Sequence, residues 1–451
     1  MKKLISLLTV VIFMLSAMSA DAANSIDKAL RASGINRSAV SISVRDLKTG
    51  KEVYKLNNKK PVNPASTQKL VTAAAALDTL GYDYSFDTKL YKTTDNDLYL
   101  KLSADPYLTT KDLKNILSTA KNKEIIEPKH IYIDDYVLDS AYWGEGWQWD
   151  DDLSPLMSKF GSYNLDKNLL TIVVKPTRKN APVEVFSKDF YPVGFVNFAT
   201  TGERDDIKIT HNETISNRLL EVNGTVSKYT EIEIPTENIK LYFRLRMDDA
   251  VSDSKILYYG KFEQKKLPEK NVYLVDSVKR DVSEVAKDVL QNSNNMAAET
   301  LFKVAGGKYV NNTGSINSAV DMLKSYCQKN KIDYDDIRIV DGSGVSKNNL
   351  MTAAFMTEFL ETTSKSEDFE KYYELMATPG TGTLKDRMLY LGDKLKAKTG
   401  TLSDVSAIAG FITTRRGNKY AFDVMINDHK SSPADKKQLE EYLLRAIFAD
   451  M

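Results

Sequence analysis

Three short motifs hold the residues that could carry out acyl transfer, and the first of them supplies a nucleophile. Ser66-Thr67-Gln68-Lys69 follows Pro64 at the start of an Ala/Leu-rich stretch. If Pro64 marks the beginning of a helix, Ser66 lies in its first turn and Lys69 lies one turn later on the same face. A serine hydroxyl needs a neighbouring base, and a lysine can be that base only as a neutral amine, which requires burial or nearby positive charge. The motif therefore predicts Ser66 as nucleophile and Lys69 as its proton acceptor.

Each motif alone is weak evidence, because each occurs more than once. The other S-x-x-K copies begin at Ser25, Ser118 and Ser252, the S-x-N copies begin at Ser162, Ser293, Ser315 and Ser346, and the K-T-G copies begin at Lys48 and Lys398. We interpret the three additional S-x-x-K copies as solvated surface. A choice between the copies needs their order and their setting.

The order Ser-x-x-Lys, Ser-x-Asn, Lys-Thr-Gly is the motif set of active-serine penicillin-recognising enzymes. Ser293-Asn294-Asn295 lies between two apolar helical runs, whereas Ser162 falls in a β-rich stretch, Ser315 resembles a helix cap and Ser346 lies in a Gly-containing loop. Lys398-Thr399-Gly400-Thr401 precedes a predicted strand pair, so its backbone could lie along a substrate as an edge strand. The copy at Lys48 lies in a hairpin turn before the helix of Ser66, which is the wrong order. These observations favour Ser66, Ser293 and Lys398.

The sequence has few of the residues and motifs that other hydrolytic mechanisms require. His130, His211 and His429 are the only histidines, and they have neither H-E-x-x-H nor Cys/His spacing. G-x-S-x-G is absent, as is a Gly-rich phosphate loop ahead of a helix. We therefore expect neither a metal nor another cofactor.

The periodicity of the chain predicts helix-and-sheet ends around a β-rich middle. Residues 39–44 and 52–54 form a predicted hairpin, a helix runs from 64 to about 80, helical patterns cover 283–304 and 315–330, strands cover 406–414 and 420–426, and a closing helix covers about 434–449. Between about 86 and 275, short strand-like runs alternate with polar turns and helical periodicity is sparse. The pattern predicts an α+β catalytic domain with a large insertion.

The first residues and the composition indicate an exported protein. Lys2 and Lys3 precede an apolar stretch at 4–17 and the A-x-A pattern Ala20-Asp21-Ala22, so we predict a signal peptide over 1–22 and no membrane span after its removal. The 62 basic and 61 acidic residues leave no charge excess for nucleic acid. Cys327 is the only cysteine, which excludes an internal disulfide, and its helical surroundings favour a core thiol.

On these residues the chain resembles the D-alanyl-D-alanine carboxypeptidase/endopeptidases of the class C, low-molecular-mass penicillin-binding proteins, peptidase family S13. The resemblance covers nearly the whole mature chain. The segments that carry it are 64–70, 146–151, 293–301, 341–346, 382–384 with Arg387, and 397–403.

The resemblance implies a fold and a division into domains. The fold is α+β, with a penicillin-binding/β-lactamase-like transpeptidase domain, mostly an antiparallel sheet flanked by helices, that carries two inserted β-rich accessory domains. We expect the catalytic domain at 23–90 and 275–451, an accessory domain at 91–165 and 240–274, and a nested second accessory domain at 166–239.

The resemblance also implies roles for the five catalytic candidates. Ser66 corresponds to the acylated nucleophile and Lys69 to its proton acceptor. Ser293 would relay the proton to the leaving D-alanine, Asn295 would hold the substrate amide, and Lys398 would fix the electrostatics around that serine and the substrate carboxylate.

The strand of Lys398 is expected to bind substrate through Thr399, Gly400 and Thr401. Thr399 and Thr401 would assist Lys398 with the substrate carboxylate. By analogy, the backbone N–H groups of Ser66 and Thr401 form the oxyanion hole, worth about 3–4 kcal/mol per donor.

Substrate side-chain recognition is where the sequence departs from its relatives. Relatives use an acidic and an aromatic residue after the Trp-Asp segment. Here Asp151 or Asp152 could supply the acid, but Met157 replaces the expected ring. Arg387 is expected either to contact the stem peptide or to form a surface salt bridge. Ser103-Ala104-Asp105-Pro106 replaces the family's Gly-Gly-Asp-Pro, a turn remote from the chemistry.

The expected function is that of an exported serine DD-carboxypeptidase, with endopeptidase action on cross-links. Its partners would be peptidoglycan stem peptides in the periplasm or at the cell wall, and β-lactams would be covalent inhibitors. Two alternatives remain at this point: a β-lactamase-like hydrolase, and a non-catalytic wall-binding scaffold built on an inactive peptidase.

Overall fold

The computed structural model describes residues 24–212 and 219–451, so the predicted signal peptide lies outside the described residues. The chain divides into two compact units. Unit 1 consists of the chain up to Tyr84, Gly144–Trp147 and Val282–Met451, and unit 2 consists of Ser85–Trp143 and Gln148–Asp281. The predicted division of the insertion into two nested accessory domains stays a prediction.

Unit 1 is built on an antiparallel five-stranded sheet. In spatial order its strands are Leu395–Thr401, Val405–Thr413, Lys419–Asn427, Val40–Asp46 and Glu52–Leu56. The predicted hairpin and the predicted C-terminal strand pair are therefore confirmed as neighbours in one sheet. Val40 pairs with Ile426, so the first and the last strands of the chain meet at its centre.

Helices cover the sheet of unit 1. Beyond a helix over residues 24–33, they are Lys69–Leu80, Val282–Gln291, Asn295–Val310, Ile316–Lys329, Ala353–Thr363, Phe369–Leu375 and Pro433–Asp450, with short 3₁₀ turns at Arg37–Ala39, Ala65–Gln68, Gly382–Leu384 and Leu389–Lys394. The closing helix buries Leu439, Leu443 and Ile447 against the apolar sheet residues Ile408, Phe422 and Val424. Cys327 is fully buried, which confirms the predicted core thiol.

The described residues of unit 2 form four small sheets. The largest joins Glu263–Gln264, Ile131–Asp134, Leu98–Lys101, Ser85–Thr93 and Val272–Asp281, in that order. The others join Thr230–Pro235, Leu169–Lys175 and Glu184–Ser187; Lys208–His211, Leu219–Asn223 and Gly194–Asn197; and Thr225–Val226 with Thr200–Thr201. Where the structure describes this unit, 3₁₀ turns also lie at Trp149–Asp151, Pro155–Met157 and Asp166–Asn168.

Two α-helices of unit 2, Thr110–Asn122 and Ile239–Asp253, are absent from the sequence-based expectation of a β-rich insertion. Both bury one face. The first buries Leu113, Ile116, Leu117 and Ala120, which are spaced as in an amphipathic helix. The α+β class is confirmed. None of the helices in the described parts of the chain is long and apolar enough to cross a membrane.

Candidate active site

The turn that carries Ser66 begins the helix whose first residue is Lys69. Residues Ala65–Gln68 form a 3₁₀ turn that continues directly into Lys69–Leu80, and Gly81 ends the helix with a positive φ of 82°, a conformation that glycine adopts readily. Ala65 has a positive φ of 46°, an uncommon conformation for a residue with a Cβ. Local strain of this kind persists where surrounding packing enforces it, and it is concentrated at functional sites.

Lys69 lies under Ser66 and points at its hydroxyl. Its Nζ is 2.9 Å from Ser66 Oγ, 2.7 Å from Asn295 Oδ1 and 2.6 Å from the Ser343 carbonyl oxygen. An ammonium has three hydrogens, so these three acceptors satisfy it completely. The predicted pairing of Ser66 with Lys69 is present in the structure.

Burial decides the protonation of Lys69. The side chain is fully buried, and loss of hydration lowers its pKa to about 7, while Asp341 and Glu299 act in the opposite direction. A lysine with this pKa exists in both protonation states near neutral pH. It can therefore take a proton from a hydroxyl, which a solvated lysine does far less readily.

Lys398 lies on the end strand of the sheet and is also fully buried. Burial lowers its pKa well below the usual value, and the charge of Lys69 lowers it further. Its Nζ donates to the Thr399 carbonyl oxygen at 2.6 Å. The two lysines of the first and third motifs are thus electrostatically coupled inside one site.

The strand of Lys398 passes close to the Ser66 turn at Gly400. A Cβ at Gly400 would lie 2.9 Å from both the Ser66 amide nitrogen and the Ala65 Cβ. Only a residue without a side chain permits this approach. The K-T-G backbone and the Ser66 amide, the two expected parts of the oxyanion hole, are therefore neighbours.

Along the same strand, the two threonines differ in exposure. Thr399 is partly buried and donates to Thr383 Oγ1 at 2.8 Å, whereas Thr401 is exposed. Thr383 belongs to the 3₁₀ turn Gly382–Leu384, one of the segments that carry the family resemblance. Thr383 was not among the predicted site residues.

The second motif forms the junction of two helices. Ser293 is partly buried and has a φ of 64°, between Val282–Gln291 and Asn295–Val310. Asn294 caps the second helix by accepting from the Ala297 N–H, and it donates to Asp288 at 2.9 Å. This cap fixes Asn295 at the helix start, where its Oδ1 accepts from Lys69. The choice of the copy at Ser293 agrees with this contact.

Two buried carboxyl groups that were not among the predicted site residues support the site. Asp341 accepts from Trp147 Nε1 at 2.9 Å, from Asn349 Nδ2 at 2.8 Å and from the backbone N–H groups of Gly344 and Ser346. Glu299 accepts from the backbone N–H groups of the same loop. Both residues lie in segments that carry the family resemblance, but the bonds from Glu299 to residues 342 and 343 and from Trp147 to Asp341 join segments remote in sequence, so no local pattern identifies them.

Arg387 lies against the closing helix. Its guanidinium is 3.0 Å from Glu440 Oε2 and also donates to the Lys437 carbonyl oxygen and to Glu441. Glu440 is fully buried. These contacts match the salt-bridge alternative, although the carboxylate partner is buried. A contact between Arg387 and the stem peptide stays a prediction.

The three candidates for substrate side-chain recognition belong to unit 2. Asp151 is exposed in the 3₁₀ turn Trp149–Asp151, and Asp152 Oδ1 is 2.8 Å from His211 Nε2. Met157 is buried, with 6% of its surface exposed. Their role in substrate binding stays a prediction. Within the described chain, no group of three or more histidine, cysteine, aspartate or glutamate side chains is arranged to hold a metal ion.

Comparisons with known proteins agree with this geometry. A family model described as the D-Ala-D-Ala carboxypeptidase 3 (S13) family matches residues 22–446. A D-alanyl-D-alanine carboxypeptidase DacB from Haemophilus influenzae is 26% identical over 83% of this chain and 82% of its own length. A D-alanyl-D-alanine carboxypeptidase from Actinomadura sp. is also 26% identical, over 91% of this chain and 81% of its own length.

Among solved structures, penicillin binding protein 4 from Haemophilus influenzae shares the fold. It superposes with a TM-score of 0.81 at 24% identity and covers 91% of this chain and 96% of its own. The penicillin-binding type of α+β fold is thereby confirmed. The chain belongs to the D-Ala-D-Ala carboxypeptidase 3 (S13) family, and the predicted enzyme class, a serine-type D-Ala-D-Ala carboxypeptidase, is confirmed.

Proposed function

We propose that the protein is an exported enzyme that cleaves D-alanyl-D-alanine bonds of peptidoglycan stem peptides through an acyl-enzyme on Ser66. The observation that carries the proposal is the fully buried Lys69, whose Nζ lies 2.9 Å from Ser66 Oγ. The family and the names of the curated relatives support the reaction and the substrate class. The A-x-A pattern at Ala20-Asp21-Ala22 supports export, and we propose the periplasm or the cell wall as its location.

Acylation begins when neutral Lys69 takes the proton of Ser66. The Ser66 oxygen attacks the carbonyl carbon of the penultimate D-alanine, and the backbone N–H groups of Ser66 and Thr401 stabilise the resulting oxyanion. The tetrahedral intermediate then expels the terminal D-alanine as its amine. Ser293 relays a proton to that amine, and Lys398 sets the electrostatic environment of Ser293 and of the substrate carboxylate.

Deacylation reverses these roles with water as the nucleophile. Water loses a proton to the site and attacks the ester, and Ser66 regains its hydrogen as the shortened peptide leaves. Asn295 holds the substrate amide throughout, while Thr399, Gly400 and Thr401 bind the peptide alongside the strand. Asp151 or Asp152, with Met157, would contact the far end of the stem-peptide side chain. β-Lactams resemble the D-Ala-D-Ala end and would stall at the ester.

Intact-protein mass spectrometry after incubation with benzylpenicillin tests the proposal. The expected result is one covalent adduct, lost in Ser66→Ala and kept in Ser25→Ala, which removes the serine of another S-x-x-K copy. No adduct on the wild type, or an adduct that survives in Ser66→Ala, contradicts the proposal. Rapid β-lactam turnover without a long-lived adduct would instead indicate a β-lactamase-like hydrolase.

A soluble-peptide assay separates the two expected activities. Release of D-alanine from a free pentapeptide measures the carboxypeptidase reaction, and cleavage of a cross-linked peptide dimer measures the endopeptidase reaction. We expect Ser66→Ala to abolish both. A protein that binds peptidoglycan but cleaves neither peptide would be a scaffold.

A further inference from the structure

Glu299 is a fully buried carboxyl group in the second turn of the helix Asn295–Val310. Its oxygens lie 2.9 and 3.0 Å from the Gly342 amide nitrogen and 2.8 Å from that of Ser343. Burying a carboxyl group is costly unless hydrogen bonds compensate its lost hydration, and here two consecutive backbone amides do so. Glu299 therefore fixes the backbone of the loop at residues 342 and 343.

The Ser343 carbonyl belongs to the same loop and accepts from Lys69 Nζ at 2.6 Å. The Ser343 carbonyl shares its peptide plane with the Gly344 N–H, whereas the Ser343 N–H that Glu299 holds belongs to the preceding plane, so only the φ and ψ of Ser343 separate the plane held by Glu299 from the carbonyl that faces Lys69. On the far side of Ser343, Asp341 accepts from the Gly344 and Ser346 N–H groups at 2.8 and 2.7 Å. The two acids thus clamp one peptide segment on both sides of the acceptor used by Lys69.

We propose that Glu299 is a positioning residue for Lys69: it holds the Ser343 carbonyl at the lysine, and its own charge biases the protonation of that lysine. The inference rests on the proposed role of Lys69 as the proton acceptor of Ser66. It adds a residue outside the three motifs to the machinery of acylation.

The charges around the site give the direction in which Glu299 changes the protonation of Lys69. Burial raises the pKa of Glu299 to about 8, with Asp341 acting in the same direction and the amides of Gly342 and Ser343 opposing it. An ionised Glu299 raises the pKa of Lys69. Lys398 from the end strand and the buried Lys303, one turn along the helix of Glu299, are further charged groups in this region. Glu299 is only partly ionised at the pH where Lys69 titrates, so removing its charge should let Lys69 lose its proton at slightly lower pH.

Two substitutions separate the effect of the length of the Glu299 side chain from the effect of its charge. Glu299→Gln keeps an oxygen that can accept from both amides but cannot ionise, whereas Glu299→Asp keeps the charge and shortens the reach. The control is Asp423→Asn, which removes another fully buried carboxyl group from the same unit. The rate of Ser66 acylation by a fluorescent penicillin would be measured from pH 5 to 9 and normalised to the titrated active fraction.

In the plot of acylation rate against pH, we call the part in which the rate rises from its low-pH value the acidic limb. We expect the midpoint of the acidic limb to lie about half a pH unit lower for Glu299→Gln than for the wild type. We expect Glu299→Asp to acylate about tenfold more slowly, because the acceptor of Lys69 is displaced. Asp423→Asn should overlay the wild type. A merely structural role would lower the melting temperature and the active fraction without moving the limb.

A Glu299→Gln limb that superimposes on the wild-type limb overturns the proposal. If Glu299→Gln does not fold, the Glu299→Asp rate decides, and a wild-type rate overturns it. Failure of the wild type to form any adduct is a different result, because it contradicts the proposed function of Ser66 itself.

Discussion

Lys69 must carry a proton at one stage of the proposed reaction and lack it at another. The structure meets this demand by burial, which lowers the pKa of the lysine to about 7, and by three acceptors, which hold the ammonium when it forms. The oxygens of Asn295 and Ser343 keep the amine aimed at Ser66 in both states. Position and proton affinity are thus set by different neighbours.

This arrangement predicts how acylation depends on pH. Because the neutral amine is the active form, the acylation rate should rise with pH and reach half of its maximum near the pKa of Lys69, about 7. Stopped-flow measurements with a chromogenic cephalosporin would give the profile. The acylation rate of Lys69→Arg should be more than about 100-fold below that of the wild type, because a guanidinium stays protonated and cannot accept the Ser66 proton.

The control for this prediction is Lys436→Arg, because Lys436 is also buried and donates to the Asp428 carbonyl oxygen instead of to a nucleophile. It should keep the wild-type profile even if it lowers stability. A Lys69→Arg variant that acylates at the wild-type rate would contradict the role of Lys69 as base.

Asp423 gives a prediction about stability at the same scale. It is fully buried in the strand Lys419–Asn427, and within the described chain its carboxylate oxygens make no hydrogen bond of good geometry. Burial raises its pKa well above the usual value, against a smaller opposing effect of the Val424 N–H. The folded state therefore binds a proton that the unfolded state releases, and stability falls as pH rises above the unfolded pKa.

Asp423→Asn should remove this loss of stability. We expect the free energy of unfolding to increase by about 1–3 kcal/mol at neutral pH, because the folded wild type must keep bound a proton that its unfolded state releases. The gain should be larger at pH 8 than at pH 5. As the pH rises, the unfolded wild type releases the Asp423 proton more readily, which destabilises the folded wild type, whereas the asparagine of the variant does not ionise. Thermal melts at the two pH values measure the difference. A gain that is equal at both values, or that shrinks at pH 8, would show that Asp423 is not protonated in the folded protein.

At the scale of elements, helix starts determine where the catalytic side chains lie. Asn294 caps the helix Asn295–Val310, and Ser315 caps Ile316–Lys329 in the same way, by accepting from a backbone N–H three residues later. Only the first of these caps is adjacent to a side chain that contacts Lys69.

The two caps form a matched pair of substitutions. Asn294→Ala and Ser315→Ala should each lower the free energy of unfolding by about 1 kcal/mol, the usual loss for an N-cap. Only Asn294→Ala should also slow acylation, because it frees the first turn that holds Asn295. Denaturant unfolding and penicillin labelling of both variants provide the comparison. Equal acylation by the two variants would mean that the cap does not position Asn295.

The sequence predicted the elements of unit 1 well, because local signals define them. Pro64 and Gly81 mark the helix of Lys69, and the alternation of apolar residues around 406–426 marks the two long strands. The helices Thr110–Asn122 and Ile239–Asp253 were missed although each carries a signal. Thr109 and Asp112 form a capping box, and Asn238 is an N-cap. The many polar residues of the insertion concealed the apolar spacing.

The candidate site divides in the same way. Ser66, Lys69 and Asn295 could be predicted because their motifs are local and ordered. Glu299 and Asp341 could not, because their partners come from other segments: Glu299 holds residues 342 and 343, and Asp341 holds Trp147. Nothing in a local sequence pattern specifies such tertiary hydrogen bonds.

At the scale of the whole molecule, the short segment Gly144–Trp147 belongs to unit 1 although the sequence on both sides of it belongs to unit 2. Its anchor is Trp147, which is 6% exposed and donates from Nε1 to Asp341 at 2.9 Å. The carboxylate that holds the Ser343 loop therefore depends on a residue encoded within the insertion.

Trp147→Phe should remove this donor while keeping a large ring. We expect a loss of about 1–3 kcal/mol in the free energy of unfolding, the usual range for a buried polar group that loses a partner. Acylation should slow as well. Trp143→Phe is the control, because Trp143 belongs to unit 2 and lies near Lys159. Calorimetry and penicillin labelling would measure both effects, and a Trp147→Phe variant with wild-type stability would contradict the prediction.

The pairing of Val40–Asp46 with Lys419–Asn427 has a consequence for the order in which the exported chain can fold as it emerges from its N-terminus onwards. The N-terminal hairpin must wait for nearly the whole polypeptide to emerge before its central partner exists, whereas residues 85–281 bring their own strand partners with them. Lys398 and Gly400 also arrive late. Ser66 is therefore made early but acquires its catalytic neighbours only at the end, so an incomplete chain has a nucleophile without a site around it.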